Sequence, residues 1–189
     1  MASLLIVYGT TEGHTRKIAG RIADAVRAHG HAADVIEASL HPSPAAYDAV
    51  IVAASLHQMR HQAVVEHFVR ENRKALREMP TAFFSVSLTA ALPEPEHQDE
   101  AQACVERFID ETGWRPGMTR LVAGALMYSQ YDFFKRMMMK TIARQNGGGT
   151  DTSRDYEYTD WEKLRKDTGS FLELFLGAGI EPELAGAGA

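Results

Sequence analysis

The sequence predicts an α/β protein: a three-layer sandwich with a five-stranded parallel sheet between two layers of helix. Three observations predict it. The short apolar run Leu4-Leu5-Ile6-Val7 stops in a loop of hydroxyls and glycines, Gly9-Thr10-Thr11-Glu12-Gly13-His14-Thr15, which runs straight into a helical pattern; this is how a buried parallel strand enters its crossover helix. A later run, Ala49-Val50-Ile51-Val52-Ala53-Ala54, is apolar throughout and reads as a central strand. Strand-like and helix-like runs then alternate at intervals that imply right-handed β-α-β units. Five strands with an anion-binding type of loop after the first suggest the order 2-1-3-4-5, whose ligand crevice lies at the switch point between strands one and three.

Each element follows from local pattern. After strand one, Ile18, Ala19, Ile22, Ala23 and Val26 recur at helical spacing, and His29-Gly30 supplies a glycine stop. Ala33-Asp34-Val35-Ile36 is strand two. The loop His41-Pro42-Ser43-Pro44, where proline forbids regular structure, leads to strand three at Ala49–Ala54. Residues 62–78 are expected to form one amphipathic helix with Val65, Phe68, Val69 and Leu76 inward, closed by Pro80. Thr81–Ser87 is strand four. The polar segment Pro93-Glu94-Pro95-Glu96 precedes a helix over 97–112, and Leu121–Leu126 is strand five. The alternation then breaks with an aromatic and methionine-rich insertion over 128–158. The last helix starts at Thr159-Asp160-Trp161 and is expected to pack Trp161, Leu164, Phe171, Leu172, Leu174 and Phe175 on the sheet. Residues 1–176 read as a single domain, and the Gly- and Ala-rich stretch 177–189 as a flexible tail.

Composition bounds the function. The chain has 189 residues, 45% of them hydrophobic and 24% charged, with a formal net charge of -5, which argues against nucleic-acid binding. The single cysteine, Cys104, excludes an internal disulfide, reads as a small core or helix residue and fits a reducing cytoplasm. No basic region precedes the first apolar run, which is too short for a signal sequence. No apolar stretch has the length to span a bilayer. A cytoplasmic protein is expected.

The loop over residues 9–15 carries the chemistry. A Walker loop needs a Lys-Ser or Lys-Thr pair after its last glycine, and none is present. A dinucleotide fingerprint needs a third glycine where the chain offers Gly9 and Gly13 alone. A phospho-acceptor receiver domain needs an aspartate at the end of a central strand, yet those ends read Tyr8-Gly9, Ala54-Ser55 and Ser85-Val86. Hydroxyls at Thr10, Thr11 and Thr15 beside a helix N-terminus suit a monoester phosphate, which offers more acceptor oxygens than a bridging pyrophosphate. The plainer reading is a polar strand-to-helix turn capped by Thr10 or Thr11.

Ile6-Val7-Tyr8-Gly9-Thr10-Thr11-Glu12-Gly13-His14-Thr15 resembles the flavodoxin signature for flavin mononucleotide (FMN), aliphatic-aliphatic-aromatic-x-Ser/Thr-x-x-small-x-Thr, with every defined position filled. The chain is further similar to the menaquinone-dependent protoporphyrinogen oxidase (dehydrogenase) family in several runs. These are Ala54-Ser55, Met79-Pro80-x-Ala82-Phe83-x-Ser85-Val86, Trp114-Arg115-Pro116, Ala123-Gly124-Ala125-Leu126, Gly147-Gly148-x-Thr150-Asp151-Thr152 and Tyr158-Thr159-Asp160-Trp161-Glu162. The resemblance implies a flavodoxin-like fold in which Thr10, Thr11, Glu12, Gly13, His14 and Thr15 hold the FMN phosphate. By the same resemblance Ser55-Leu56-His57-Gln58 and Ser85-Val86-Ser87-Leu88-Thr89 flank the isoalloxazine, and Thr150-Asp151-Thr152 closes over it. Ordinary flavodoxins sandwich the ring between aromatic residues. Here Leu56, His57 and Leu88 stand instead, leaving one ring face more open to a substrate.

The insertion contains Tyr131-Asp132-Phe133-Phe134-Lys135-Arg136-Met137-Met138-Met139-Lys140-Thr141-Ile142-Ala143-Arg144. As a helix it sets Tyr131, Phe134, Met138 and Ile142 opposite Arg136, Lys140 and Arg144. Such a helix covers a sheet edge, a hydrophobic ligand or a membrane interface. The resemblance favours the latter two, with Arg136 and Lys140 pairing the anionic propionates of a porphyrinogen and 128–146 touching the inner face of the cell membrane, where the quinone resides. His57 and His61 stand four apart, a spacing open to a metal, but without further ligands they read as surface histidines and no metal is expected. His57, beside the ring, is open to a part in proton transfer. No catalytic acid or base is dictated. The implied activity is FMN-dependent oxidation of protoporphyrinogen IX to protoporphyrin IX, a step of haem biosynthesis, with a quinone as acceptor. A flavodoxin-type electron carrier and an NAD(P)H-dependent quinone reductase are the alternatives, and a homo-oligomer stays open.

Overall fold

The computed structural model describes residues 1–127, 144, 151 and 153–177. In chain order the elements are β1 (Ser3–Gly9), α1 (His14–Ala28), β2 (Ala32–Glu37), β3 (Ala49–His57), β4 (Arg60–His61), α2 (Ala63–Glu71) and α3 (Arg73–Glu78). There follow β5 (Thr81–Ser87), α4 (Pro95–Thr112), β6 (Met118–Ala123), β7 (Ala125–Leu126), β8 (Tyr156–Glu157) and α5 (Trp161–Leu176). The main strands lie in the order β2-β1-β3-β5-β6, all parallel, with β4 folded back antiparallel on β3. This is the expected 2-1-3-4-5 order once the short β4 is counted.

Because the strands are apolar on both faces, side-chain parity builds two cores. Leu4, Ile6, Ile51, Ala53, Phe84 and Val86 face α1 and α5, where Ile18, Ile22, Val26, Leu164 and Phe171 meet them. Leu5, Val7, Val50, Val52 and Phe83 face the other way, onto Val65, Phe68, Leu76, Phe108 and Trp114 of α2, α3, α4 and the segment after α4. Cys104 is buried in α4. Among the described residues no helix is long and apolar enough to cross a membrane.

Four expectations are corrected. The helix expected over 62–78 is two, broken at Asn72 (φ -100°, ψ 10°), whose side-chain amide donates to the Phe68 carbonyl at 2.9 Å. A polar residue that bonds backbone in this way competes with the helix ladder. Strand five leaves the main sheet at Ala123. Gly124 N still donates to Ser87 O at 2.9 Å, but Ala125 and Leu126 then pair antiparallel with Glu157 and Tyr156. These four residues form a two-stranded stem, β7–β8. Leu174 is 70% exposed and takes no part in the core, unlike Leu164, Phe171 and Leu172. His61, expected at the surface, is buried at 5% exposure in edge contact with the stacked Phe83 and Phe108 rings, each centroid 5.0 Å away. The amphipathic segment with Arg136 and Lys140, the residues Thr150 and Thr152, and the tail 178–189 lie outside the described residues.

Candidate functional site

At the carboxyl ends of β1, β3 and β5 the structure holds a cleft of about 510 Å³, within the size range of small-molecule and cofactor sites. Its floor is the β1–α1 loop. Gly13 takes a left-handed conformation (φ +84°) and its N–H donates to Thr10 Oγ1 at 2.9 Å, folding the loop into a tight turn. The first turn of α1 carries neither a capping side chain nor an acidic residue. The amides that open a helix have no intrahelical acceptor, so those of His14, Thr15 and Arg16 are presented to an anion. Thr11 Oγ1 accepts from Gln62 Nε2 at 2.9 Å, which ties the loop to the start of α2. Gly9 is required where the loop leaves β1, since a Cβ there would run into Gln62 Oε1 and Val65 Cγ2.

The walls come from the two loops expected to flank the cleft. Ser55, Leu56, His57 and Gln58 line one side, and Val86, Ser87, Leu88 and Thr89 the other; Met59, Gly124 and Ala125, not anticipated from sequence, complete the lining. His57 and Arg60 pair across a two-residue turn in which both Gln58 (φ 49°) and Met59 (φ 63°) are left-handed. That is the geometry of a type I′ hairpin, which favours Asn-Gly, and two non-glycine residues hold it at a cost of about 1–3 kcal/mol each. Arg107 Nη1 donates to the Met59 carbonyl at 3.1 Å and steadies the turn. On the opposite wall the Ser87 hydroxyl accepts from Ala90 N at 3.0 Å. Two buried polar atoms have no partner among the described residues at this edge, Ser55 Oγ and Gln62 Oε1. Such orphans are rare and point to a ligand or water that would satisfy them.

Two expected site residues lie elsewhere. Ser85 falls on the parity of β5 that faces α2 and α4, so its hydroxyl meets His61 Nε2 at 2.8 Å and does not line the cleft. Burial pushes the His61 imidazole down to about 4. Asp151 is exposed and accepts from Ser153 N at 3.0 Å, and it is not among the described residues that line the cleft. His57 and His61 do not converge as metal ligands. The described residues that do bring three ligand atoms together, within 4.8 Å of one another, are the exposed His41, His67 and Glu71.

A polar network behind the anion seat escaped sequence reasoning. His14 is buried at 8% exposure and its Nε2 lies 2.7 Å from Thr159 Oγ1, while Thr159 spends its own hydroxyl proton on the Ala123 carbonyl at 2.6 Å. The Thr159 oxygen therefore accepts, and His14 carries its proton on Nε2. Nδ1 faces Glu157 Oε2 at 3.8 Å; the same oxygen takes the Lys17 ammonium at 2.5 Å, and Glu157 Oε1 accepts from Trp161 Nε1 at 2.8 Å. Burial holds His14 below the ordinary imidazole range, partly opposed by Glu157 and reinforced by Lys17. Burial alone would raise Glu157, but the Lys17 and Trp161 hydrogen bonds outweigh it and hold the carboxyl below its usual range. The sequence signal was Tyr158-Thr159-Asp160-Trp161, legible as a helix start; its Asp160 does cap α5, accepting from Lys163 N at 2.9 Å.

Residues 5–153 match the family model described as a flavodoxin domain. The chain is 35% identical over 164 residues to a protein of Escherichia coli (strain K12) named protoporphyrinogen IX dehydrogenase (quinone), covering 85% of this chain and 89% of that one. It is 31% identical over 183 residues to a protein of the same name from Leishmania major, covering 95% and 78%. Among solved structures, oxidised flavodoxin 1 from Bacillus cereus superposes with a TM-score of 0.55 at 16% identity, covering 90% of this chain and 97% of that one. The apo form of an NADH:FMN oxidoreductase superposes with a TM-score of 0.57 at 12% identity, covering 100% and 97%. These two likenesses establish the fold.

Proposed function

The chain belongs to the flavodoxin domain family, among the quinone-linked protoporphyrinogen IX dehydrogenases, and from that premise we propose that it binds FMN in the cleft and oxidises protoporphyrinogen IX to protoporphyrin IX with a quinone as acceptor. The observation that carries the cofactor reading is the uncapped first turn of α1 at the floor of a 510 Å³ cleft. An anion seat with threonine hydroxyls, apolar walls from Leu56, Val86 and Leu88, and the orphaned Ser55 hydroxyl fit a molecule with a phosphate at one end and a flat heterocycle at the other.

In this reading the amides of His14, Thr15 and Arg16, with Thr10, Thr11 and Thr15, hold the phosphate. Leu56, His57, Gln58, Ser87, Leu88 and Thr89 set the plane of the ring. When bound, FMN supplies a two-electron acceptor that the side chains do not offer. The chain's own part is to bind, orient and shield. Leu56 and Leu88 give non-aromatic walls that leave room for a macrocycle against the cofactor. The strained Gln58-Met59 turn would hold the backbone of this wall in place beside the ring. His57 lies exposed at the rim of the cleft. Arg136 and Lys140 are proposed by their charge as partners of the substrate's propionates, with 128–146 as a peripheral membrane contact.

The test is direct. The purified protein is expected to be yellow or to become so with FMN. Supplied anaerobically with protoporphyrinogen IX and a menaquinone analogue, it is expected to generate porphyrin fluorescence faster than free FMN does. No gain over free FMN refutes the activity, and failure to take up FMN refutes the cofactor. Deleting residues 130–145 is expected to spare FMN binding and lower turnover.

A further inference from the structure

We propose that His14 is a positioning residue that takes up a proton when a phosphate monoester seats at the N-terminus of α1, and that the charged ring then grips Glu157 and tightens the β7–β8 stem against the seat. The inference rests on the FMN reading above and concerns what the phosphate does to the protein.

The geometry places His14 in two structures at once. Its backbone opens α1, among the amides that face the anion, and the residue lines the cleft. The same ring reaches the stem: Nε2 donates to Thr159, which is anchored to the last residue of β6, and Nδ1 looks at Glu157 of β8. With Nε2 committed as a donor, Nδ1 is the one atom left to titrate, and protonation there turns a 3.8 Å approach to a carboxylate into a charge-assisted contact.

The groups that face the ring pull its charge in opposite directions. Glu157 of β8 favours the charged form; Lys17, one turn along α1, opposes it and shares the same carboxylate oxygen. Trp161 of α5 packs at 6.0 Å between centroids, Thr159 offers a neutral oxygen, and Glu12 precedes the helix. With the seat empty, burial and Lys17 keep the ring neutral near pH 7. A phosphate dianion held on the amides of residues 14–16 adds a second anion close to the ring and shifts the balance to the imidazolium. Phosphate occupancy and stem docking then stabilise one another, and the coupling is reciprocal.

The experiment is isothermal titration of the full-length apoprotein with FMN and with riboflavin, which lacks the phosphate, at pH 6.5, 7 and 8 in two buffers of different ionisation enthalpy. FMN is expected to bind with net proton uptake and to weaken about five- to tenfold from pH 6.5 to 8, while riboflavin shows neither effect. His14→Gln keeps an N–H donor for Thr159 but cannot titrate. It is expected to lose the weakening towards pH 8 and to keep only the small opposite trend, slightly tighter binding at higher pH, that comes from the phosphate's own second ionisation. Equal proton uptake and slope in the wild type and His14→Gln overturn the proposal while leaving the FMN reading intact. No FMN binding by the wild type overturns the cofactor reading and the proposal together. Should the variant fold poorly, the His14 ring resonance of the wild type decides: its titration midpoint is expected to rise with FMN and stay put with riboflavin, and an unmoved midpoint with FMN refutes the proposal.

Discussion

Acid should unfold this protein in a way that one residue dominates. His61 is 5% exposed, in edge contact with the stacked pair Phe83 and Phe108, with Nε2 on the Ser85 hydroxyl. Burial lowers its folded value to about 4, against about 6.5 in an unfolded chain. Between those values the unfolded state binds the proton and the folded state does not, so stability falls as pH falls. The linkage relation gives about 2 kcal/mol lost between pH 7 and pH 5 from this one ring. For a chain of this size that corresponds to about 4–8 °C in Tm. His61→Gln leaves a donor for Ser85 and removes the titration. The variant is expected to start less stable at pH 7, because the aromatic packing is lost, yet to show a flatter decline towards pH 5 by about that 2 kcal/mol. Urea unfolding followed by circular dichroism at pH 5, 6 and 7 gives both curves. The diagnostic quantity is the difference in slope, since the intercept carries the packing cost. Parallel curves for wild type and variant would refute the claim that His61 is neutral and buried.

Three substitutions separate the physical demands on the β1–α1 loop and on α5. Gly9→Ala drives a Cβ into Val65 and Gln62 and is expected to cost about 1–3 kcal/mol by overpacking, and to weaken FMN binding because Gln62 releases Thr11; unchanged urea midpoint and affinity would contradict it. Gly13→Ala meets no atom within 4 Å but must hold φ +84°, so the expected cost is backbone strain alone, about 1–2 kcal/mol, read as a lower denaturation midpoint with unchanged m. Asp160→Ala removes the cap that accepts from Lys163 N and is expected to cost about 1 kcal/mol; no shift in midpoint would mean that α5 is fixed by its core contacts alone.

How far the sequence reaches is set by the range of the interactions involved. Strand four matches β5 at both ends because Thr81–Ser87 is bounded by Pro80 and by a polar turn, both local signals. The sheet order was legible because a both-faces-apolar run such as Ala49–Ala54 has few places to go in a parallel sheet. The seat was legible because glycine and threonine act within five residues of one another: Thr10 bonds Gly13, and Gly13 supplies the left-handed turn. Departures begin where an outcome depends on distant partners. His57 and His61 look alike in sequence, yet β4 folds back on β3 and carries His61 under α4, while His57 stays at the rim. Leu174 sits in the same apolar pattern as Phe171 and Leu172 but falls off the face that α5 turns to the sheet. The His14–Thr159 contact joins residues 145 apart in sequence and exists because the chain returns from the 128–155 excursion through β8, beside the place it left. The residues proposed to recognise a phosphate are therefore local and readable from a short motif, whereas those proposed to report its presence to the rest of the molecule are brought together by chain closure. For that reason His14, an unremarkable position in the motif, carries the coupling, and the threonines around it do not.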